Sequence, residues 1–202
     1  HLKNKKYTFG GFILDLGCAH GRNFKIMSSP PNKLIGIDIS PNFLKLARNN
    51  LMDINQYSQN ESNFIQLLLA DIVNLPIRKN SINTVFSIAT IHHIRKKSNR
   101  KHTIKQIYEL LMQNSVLIFT VWRKWQKAFR NYFFIEWLRR SFILRYKKQQ
   151  KIIGLEEFGD KYIPWTLSKE QKTHRRFYHF FSKHELKKLL DIFEIKDFRI
   201  TG

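Results

Sequence analysis

Acidic residues are scarce in this sequence. Only 15 Asp and Glu stand against 36 Lys and Arg, giving a formal charge of +21 over 202 residues. That balance points to a polyanionic partner, because basic side chains that release counterions from phosphates supply most non-specific nucleic-acid affinity. A background rich in Lys, Asn and Ile accounts for part of the excess. Cysteine is nearly absent: Cys18 stands alone, which excludes a disulfide within the chain and a Cys-x-x-Cys zinc site, so no metal site is expected. No run approaches the roughly 20 apolar residues of a membrane span, and no signal peptide is visible, so no membrane partner and a soluble intracellular protein are expected. No internal repeat emerges either.

What remains suits one domain. An apolar share of 43% supports a core, and a chain of this length buries about 70% of its unfolded surface. The chain opens without an initiator Met, which suggests a piece of a longer protein. The informative stretch is Ile13–Arg22, an apolar strand running into Asp15-Leu16-Gly17-Cys18-Ala19-His20-Gly21. Backbone N–H groups in such a turn can face a ligand. A dinucleotide-binding turn places its third glycine five residues after the first, which here is Arg22, whereas the glycine falls at Gly21. The order Asp-x-Gly-x-Ala-x-Gly resembles the first motif of class I methyltransferases that use S-adenosylmethionine.

Alternating apolar runs and helix signals extend the pattern. Strands are expected at 10–16, 34–39, 64–69, 84–90 and 116–122, each continuous in apolar character as in a sheet covered on both faces. Helices are expected at 22–27, stopped by Ser28–Asn32, after Ser40-Pro41 with Phe43, Leu44 and Ala47 inward, and at 100–112. Lys3–Lys6 is a basic lead-in, 57–63 a polar connection, and Gln113–Ser115 a turn with Asn114 at positive φ. Asp38 ends the second strand about 20 residues beyond the first glycine, where a carboxylate can accept both hydroxyls of an adenosyl ribose. Asp71 ends the third strand, and Ile91-His92-His93-Ile94 follows the fourth, at the edge where α/β sheets bind ligands.

From Arg123 to Lys151 basic residues interleave with aromatics. Cations suit phosphates and aromatic faces suit unpaired bases, yet Trp125, Phe129, Tyr132 and Phe133 recur at helical spacing, which assigns the aromatics mainly to packing. Residues 152–172 read as an irregular loop. Arg175–Phe181 follows, then a helix capped by Ser182 with Glu185 completing a capping box, and a sixth strand at 193–200.

Several separated motifs resemble one family, the eukaryotic tRNA wobble-uridine carboxymethyl methyltransferases: Ser87-Ile88-Ala89-Thr90-Ile91-His92-His93, Val121-Trp122, Asp160 before Ile163-Pro164-Trp165, and most specifically Arg176-Phe177-Tyr178-His179-x-Phe181 followed by Glu185-Leu186. The departures are Ala19 at the family's central glycine, Arg22-Asn23 for Lys-Tyr, and Met112–Ser115 for an Arg-Pro-Gly-Gly turn. The resemblance implies an α/β, Rossmann-like class I methyltransferase fold, a mostly parallel sheet with helices on both faces. The N-terminal helix and final strand are missing, and a basic aromatic insertion occupies about 123–175 of a single domain. It implies S-adenosylmethionine held by Asp15, Gly17, Ala19, Gly21, Asp38, Ile39, Asp71, Ile72 and Ala89, with S-adenosylhomocysteine as product. The implied reaction esterifies the carboxylate of 5-carboxymethyluridine, with His92, Arg176, Tyr178 and His179 as candidate catalytic residues. The implied partners are the tRNA anticodon stem-loop and a small zinc-binding activator subunit in a heterodimer, in the cytoplasm and also the nucleus. Another class I methyltransferase, acting on rRNA, protein or a small molecule, and a non-catalytic RNA-binding module on the same fold are the alternatives.

Overall fold

The computed structural model describes residues 10–27, 33–57, 64–166 and 173–200, without the side chains of 52–57. Lys3–Lys6, Ser28–Asn32 and 58–63 of the polar connection lie outside the described residues. The elements are β1 (Phe12–Leu16), α1 (Phe24–Met27), β2 (Lys33–Asp38), α2 (Pro41–Tyr57), β3 (Phe64–Leu69), β4 (Ile82–Ile88), a 3-10 turn at Ile91–His93, α3 (Lys97–Leu110), β5 (Leu111–Thr120), α4 (Arg130–Phe142), α5 (Leu144–Ile152), β6 (Asp160–Thr166), β7 (Thr173–His179) and α6 (Lys183–Leu189). The chain divides into two compact units, residues 1–88 with 105–120, and 89–104 with 121–202.

The first unit holds a five-stranded sheet of order β3-β2-β1-β4-β5, with every neighbouring pair parallel. This is the expected α/β, Rossmann-like arrangement. Its order reverses between β1 and β4, so ligands are expected outside the carboxyl ends of these strands. Ile13, Phe24, Met27, Leu34, Ala47 and Phe86 form the core. Phe24 packs so tightly over β2 that a Cβ on Gly36 would lie 2.8 Å from its ring. Between β4 and β5 the register jumps from Ile82↔Leu111 to Thr84↔Val116. Asn114 absorbs the extra residues at φ 61, as expected of an Asn that tolerates the left-handed region.

The second unit carries an antiparallel ribbon, β6 paired with β7 from Asp160↔His179 to Thr166↔Thr173. Here the irregular loop expected at 152–172 is corrected. Its first part is the end of α5, and 160–166 is a strand whose partner lies downstream. Phe133, Tyr178 and Phe180 form the core of this unit, with Phe129, Tyr132, Phe158 and Ile163 against it. The expected sixth strand at 193–200 is also corrected. Among the described residues, 193–200 is not assigned as a strand, and Phe198 instead meets the ammonium groups of Lys183 and Lys187 on α6 at 5.7 and 5.9 Å. Among the described residues no helix is long and apolar enough to cross a membrane.

Candidate active site

In the first unit the turn after β1 is fastened to β2. Gly17 and Cys18 donate their N–H groups to the Ile37 carbonyl at 2.8 and 3.0 Å. Ala19 donates to Asp38 Oδ2 at 2.9 Å, while Ser40 N donates to Asp38 Oδ1 at 2.8 Å. Each Asp38 oxygen keeps a second lone pair for a hydroxyl donor. Gly17, Ala19 and Gly21 all take positive φ (68, 49 and 78). Two are glycines and pay nothing, whereas the Ala19 methyl strains the backbone by about 1–2 kcal/mol. The Asp38 hydrogen bond holds Ala19 there.

Asp15 is buried beneath this turn, and its Oδ2 has no hydrogen-bond partner. Burial pushes its pKa up to about 7, opposed by an Asn23 hydrogen bond and the Arg22 charge and reinforced by Asp38. Burial, with Asp15 and Asp38 adding to it, also pushes the Cys18 thiol far up, so Cys18 is inert as a nucleophile. Asp71 is exposed, and its Oδ1 accepts from Val73 N at 2.9 Å, an Asx turn that leaves the other oxygen available. Ile39 is 67% exposed beside Asp38, and Ile72 is half-buried.

In the second unit the residues after β4 and those of β7 form an aromatic cluster. Ala89 takes φ 55, which ends the strand at Ile88, two residues before the expected end. His92 stacks on Tyr178 at 5.1 Å and 19°. His93 stands edge-on to both at 4.3 and 4.5 Å, and Trp122 lies 4.9 Å from Tyr178. The His93 Nδ1 donates to the Phe177 carbonyl at 2.9 Å. A carbonyl only accepts, so this tautomer leaves His93 Nε2 as an acceptor. Burial lowers the His92 pKa to about 2, with His93, Arg176 and His179 adding repulsion. Burial lowers that of His93 to about 4, against the Phe177 bond and with Arg176. Both rings are therefore neutral at pH 7. Arg176 is exposed, and its guanidinium lies over the Trp165 ring at 5.7 Å.

His179 behaves differently from its neighbours on β7. It is fully buried, with Nδ1 at 2.7 Å from Asp160 Oδ1 and Nε2 at 2.7 Å from Glu185 Oε1. Glu185 Oε2 meets Lys124 Nζ at 2.9 Å, and Lys124 also donates to the Phe158 carbonyl. Asp160 Oδ2 accepts from Glu157 N, and the Glu157 side chain binds buried Arg100 at 2.7 Å. Both ring nitrogens of His179 are thus occupied. The expectation that His179 touches substrate is corrected: it ties β6, β7 and α6 together. Burial pushes the Glu185 pKa up, but His179 and Lys124, each through a hydrogen bond and its charge, together hold it down to about 2. Glu157, His179 and Glu185 bring one ligand atom each within 4.8 Å of one another, but Arg100 and Lys124 already supply the positive charge there.

With this geometry in view, comparison with known proteins is decisive at the level of family. Residues 14–119 match the family described as a methyltransferase domain. The chain belongs to that family. This methyltransferase is 24% identical over 93% of its length to the tRNA (carboxymethyluridine(34)-5-O)-methyltransferase of Schizosaccharomyces pombe, of which it covers 74%. It is 29% identical over 56% of its length to the Arabidopsis thaliana protein of the same name, and 28% identical over 58% to the human probable tRNA methyltransferase 9B. It spans only 24% and 23% of those two relatives. Among solved structures it resembles a SAM-dependent methyltransferase from Methanosarcina mazei, with TM-score 0.64, 18% identity, and coverage of 90% of this chain and 77% of that one.

S-adenosylmethionine is the methyl donor of this class, and the methyltransferase has residues that fit it. The orphaned, buried Asp15 oxygen suits a cationic amino group. The free lone pairs of Asp38 suit ribose hydroxyls, and exposed Ile39 with Ile72 offers apolar surface to an adenine ring. Sequence reasoning missed Trp122 as a neighbour of Tyr178, and it missed the Lys124, Glu157 and Arg100 links around His179. The one available signal was the pairing of Arg176–Phe181 with Glu185-Leu186.

Proposed function

We propose that this protein methylates the carboxylate of 5-carboxymethyluridine at the tRNA wobble position, giving the methyl ester. The carrying observation is the composition of β7 and its neighbours. An exposed Arg176 without an acidic partner among the described residues stands two positions from Tyr178, on a strand that packs two neutral histidines. This set suits an anionic acceptor, and with both histidine pKa values lowered by burial it holds no strong base to remove a proton. A carboxylate needs none, because it is already ionised at pH 7.

When bound, S-adenosylmethionine supplies an electrophilic methyl group, which a carboxylate oxygen accepts as the carbon–sulfur bond breaks and the electron pair goes to sulfur. The work left to the chain is alignment. Arg176 gives a planar fork for one carboxylate, and the Tyr178 hydroxyl and a histidine N–H offer further donors. His92 fits this role through its buried Nδ1, which has no hydrogen-bond partner. Contacts that tighten as charge leaves the carboxylate accelerate the step, whereas an equally strong ground-state grip does not.

The similarity to relatives named for this reaction and the charge of +21 support a tRNA substrate. A strand-adding partner, such as the zinc-binding activator, is supported by the sheet edge at β3. Phe64 and Leu69 there are 45% and 57% exposed, beside a pocket whose lining mixes Ile35, Ile65, Leu67 and Ile77 with Arg48 and Gln66. Such an apolar edge is a liability unless covered.

The test is Arg176→Ala and Arg176→Lys in the complex with its activator. Transfer to carboxymethyluridine-containing tRNA is expected to fall at least tenfold in the first and to recover partly in the second, with S-adenosylhomocysteine binding unchanged in both. Unchanged transfer in Arg176→Ala contradicts the assignment.

A further inference from the structure

Helix α4 is apolar on two sides. One side buries Phe133 and, with it, Glu136, whose carboxylate is closed off by Arg140 and Tyr146. The opposite side leaves Phe134, Ile135, Trp137 and Phe142 exposed at 54, 47, 47 and 77%. Positions 130, 134, 137 and 141 lie on one stripe of a helix with 3.6 residues per turn, so Arg130 and Ser141 flank the two aromatic rings. Phe134 and Trp137 lie 6.3 Å apart with only 33° between their planes. A soluble helix ordinarily turns polar residues outward, and this one does not.

Charge decides what covers it. From Arg123 to Leu155 the only acidic residue is Glu136, which is 2% exposed and already paired. The exposed surface of this stretch therefore carries cations and no anions. Lys127, Arg130, Arg139, Arg145, Lys147 and Lys148 are all exposed. A second copy of the chain would bring like charges together around the patch. A polyanion is attracted, and one with unstacked planar bases also satisfies the two neighbouring rings.

We infer that the outer face of α4, with Phe134 and Trp137 as stacking platforms and Arg130 on the same stripe as a phosphate contact, binds an unpaired stretch of the RNA substrate. This deepens the tRNA reading above and rests on it for the identity of the RNA. The surface itself is defined by aromatic exposure and by the missing acids. It requires single-stranded character, because a base inside a duplex presents no face to stack on.

The experiment titrates the full chain, with its activator where needed for solubility, against a fluorescently labelled anticodon stem-loop and a blunt duplex RNA of the same length. In the double variant Phe134→Ala/Trp137→Ala, stem-loop affinity is expected to fall about tenfold or more, with duplex affinity unchanged. Substituting Arg130 by Gln is expected to weaken both RNAs and to lower the salt slope by about one. S-adenosylhomocysteine binding reports that each variant is folded. Should the double variant not fold, photo-crosslinking of the wild-type protein to bromouridine-substituted stem-loop replaces it. Adducts are then expected on the peptide carrying Phe134 and Trp137.

Unchanged stem-loop affinity in the folded variant, or adducts only elsewhere, overturns the inference. So does a patch-dependent binding to phosphatidylserine vesicles with no effect on RNA. Trp137-dependent RNA binding without ester formation overturns the proposed reaction and leaves this surface standing.

Discussion

Replacing Asp15 by Asn tests the physical basis of the cofactor half of the site. Folding raises the Asp15 pKa from 3.8 to about 7, because burial outweighs the Asn23 hydrogen bond and the Arg22 charge. At low pH the group is protonated in both states and costs nothing. As pH rises past its unfolded value the unfolded chain ionises while the folded chain keeps the proton, so stability falls until pH passes about 7. At roughly 1.36 kcal/mol per unit the penalty grows between the two pKa values and levels off at about 4 kcal/mol above pH 7, so that it is about 3 kcal/mol larger near pH 8 than near pH 5. Asn carries no such penalty. Urea denaturation of both proteins at the two pH values should therefore show the variant gaining about 3 kcal/mol relative to wild type on going from pH 5 to pH 8. His92 and His93, whose lowered values take stability away below about 6.5, are present in both proteins and cancel. The gain in stability should come with weaker S-adenosylhomocysteine binding. A cation placed beside Asp15 expels its proton, so calorimetry in two buffers at pH 6 should show proton release in wild type and none in the variant. A stability difference independent of pH refutes the burial argument.

Three further substitutions separate support from contact. His179→Ala leaves Asp160, 3% exposed, without its ring partner, and should cost about 3–5 kcal/mol in denaturant unfolding. Arg176→Ala, at an exposed position, should stay within about 0.5 kcal/mol of wild type. A loss in His179→Ala as small as that in Arg176→Ala would return His179 to the list of substrate contacts. Gly159→Ala should destabilise by about 1–3 kcal/mol. Gly159 sits at φ 118, with the Phe180 carbonyl oxygen 2.5 Å from where a Cβ would stand, and a thermal midpoint unchanged from wild type would contradict that geometry.

The parallel sheet was legible because β1 to β5 are runs of apolar residues whose pairing repeats a simple strand–helix unit. The positive φ of Asn114 was legible for a local reason, although Gln113–Ser115 forms an irregularity inside β5 rather than a turn ahead of it; so was the cap of α6, where Ser182 Oγ accepts from Glu185 N at 3.1 Å. The ribbon was not. β6 contains Pro164 and mixed polarity, and it becomes a strand only because Arg175 and its neighbours on β7 lie opposite. Ile195, Phe198 and Ile200 fall at near-alternate positions as in a strand, yet among the described residues this segment is not assigned as one. His179 carried a motif that suggested contact with substrate. Its actual environment comes from Asp160, 19 residues upstream, and Glu185, 6 residues downstream, and no spacing rule joins those three. The helical spacing correctly sent Phe129, Tyr132 and Phe133 inward but failed for Trp125, which is 39% exposed, and gave no sign that Phe134 and Trp137 on α4 stay exposed.

The central claim is the reaction, and nucleoside mass spectrometry tests it most directly. Undermodified tRNA carrying 5-carboxymethyluridine is incubated with the purified protein, with and without the proposed activator, and S-adenosylmethionine bearing a deuterated methyl group, then digested to nucleosides. The account predicts the labelled methyl ester of the wobble uridine, with loss of the free acid. Label found on another nucleoside, on protein, or nowhere while S-adenosylhomocysteine still binds would contradict it.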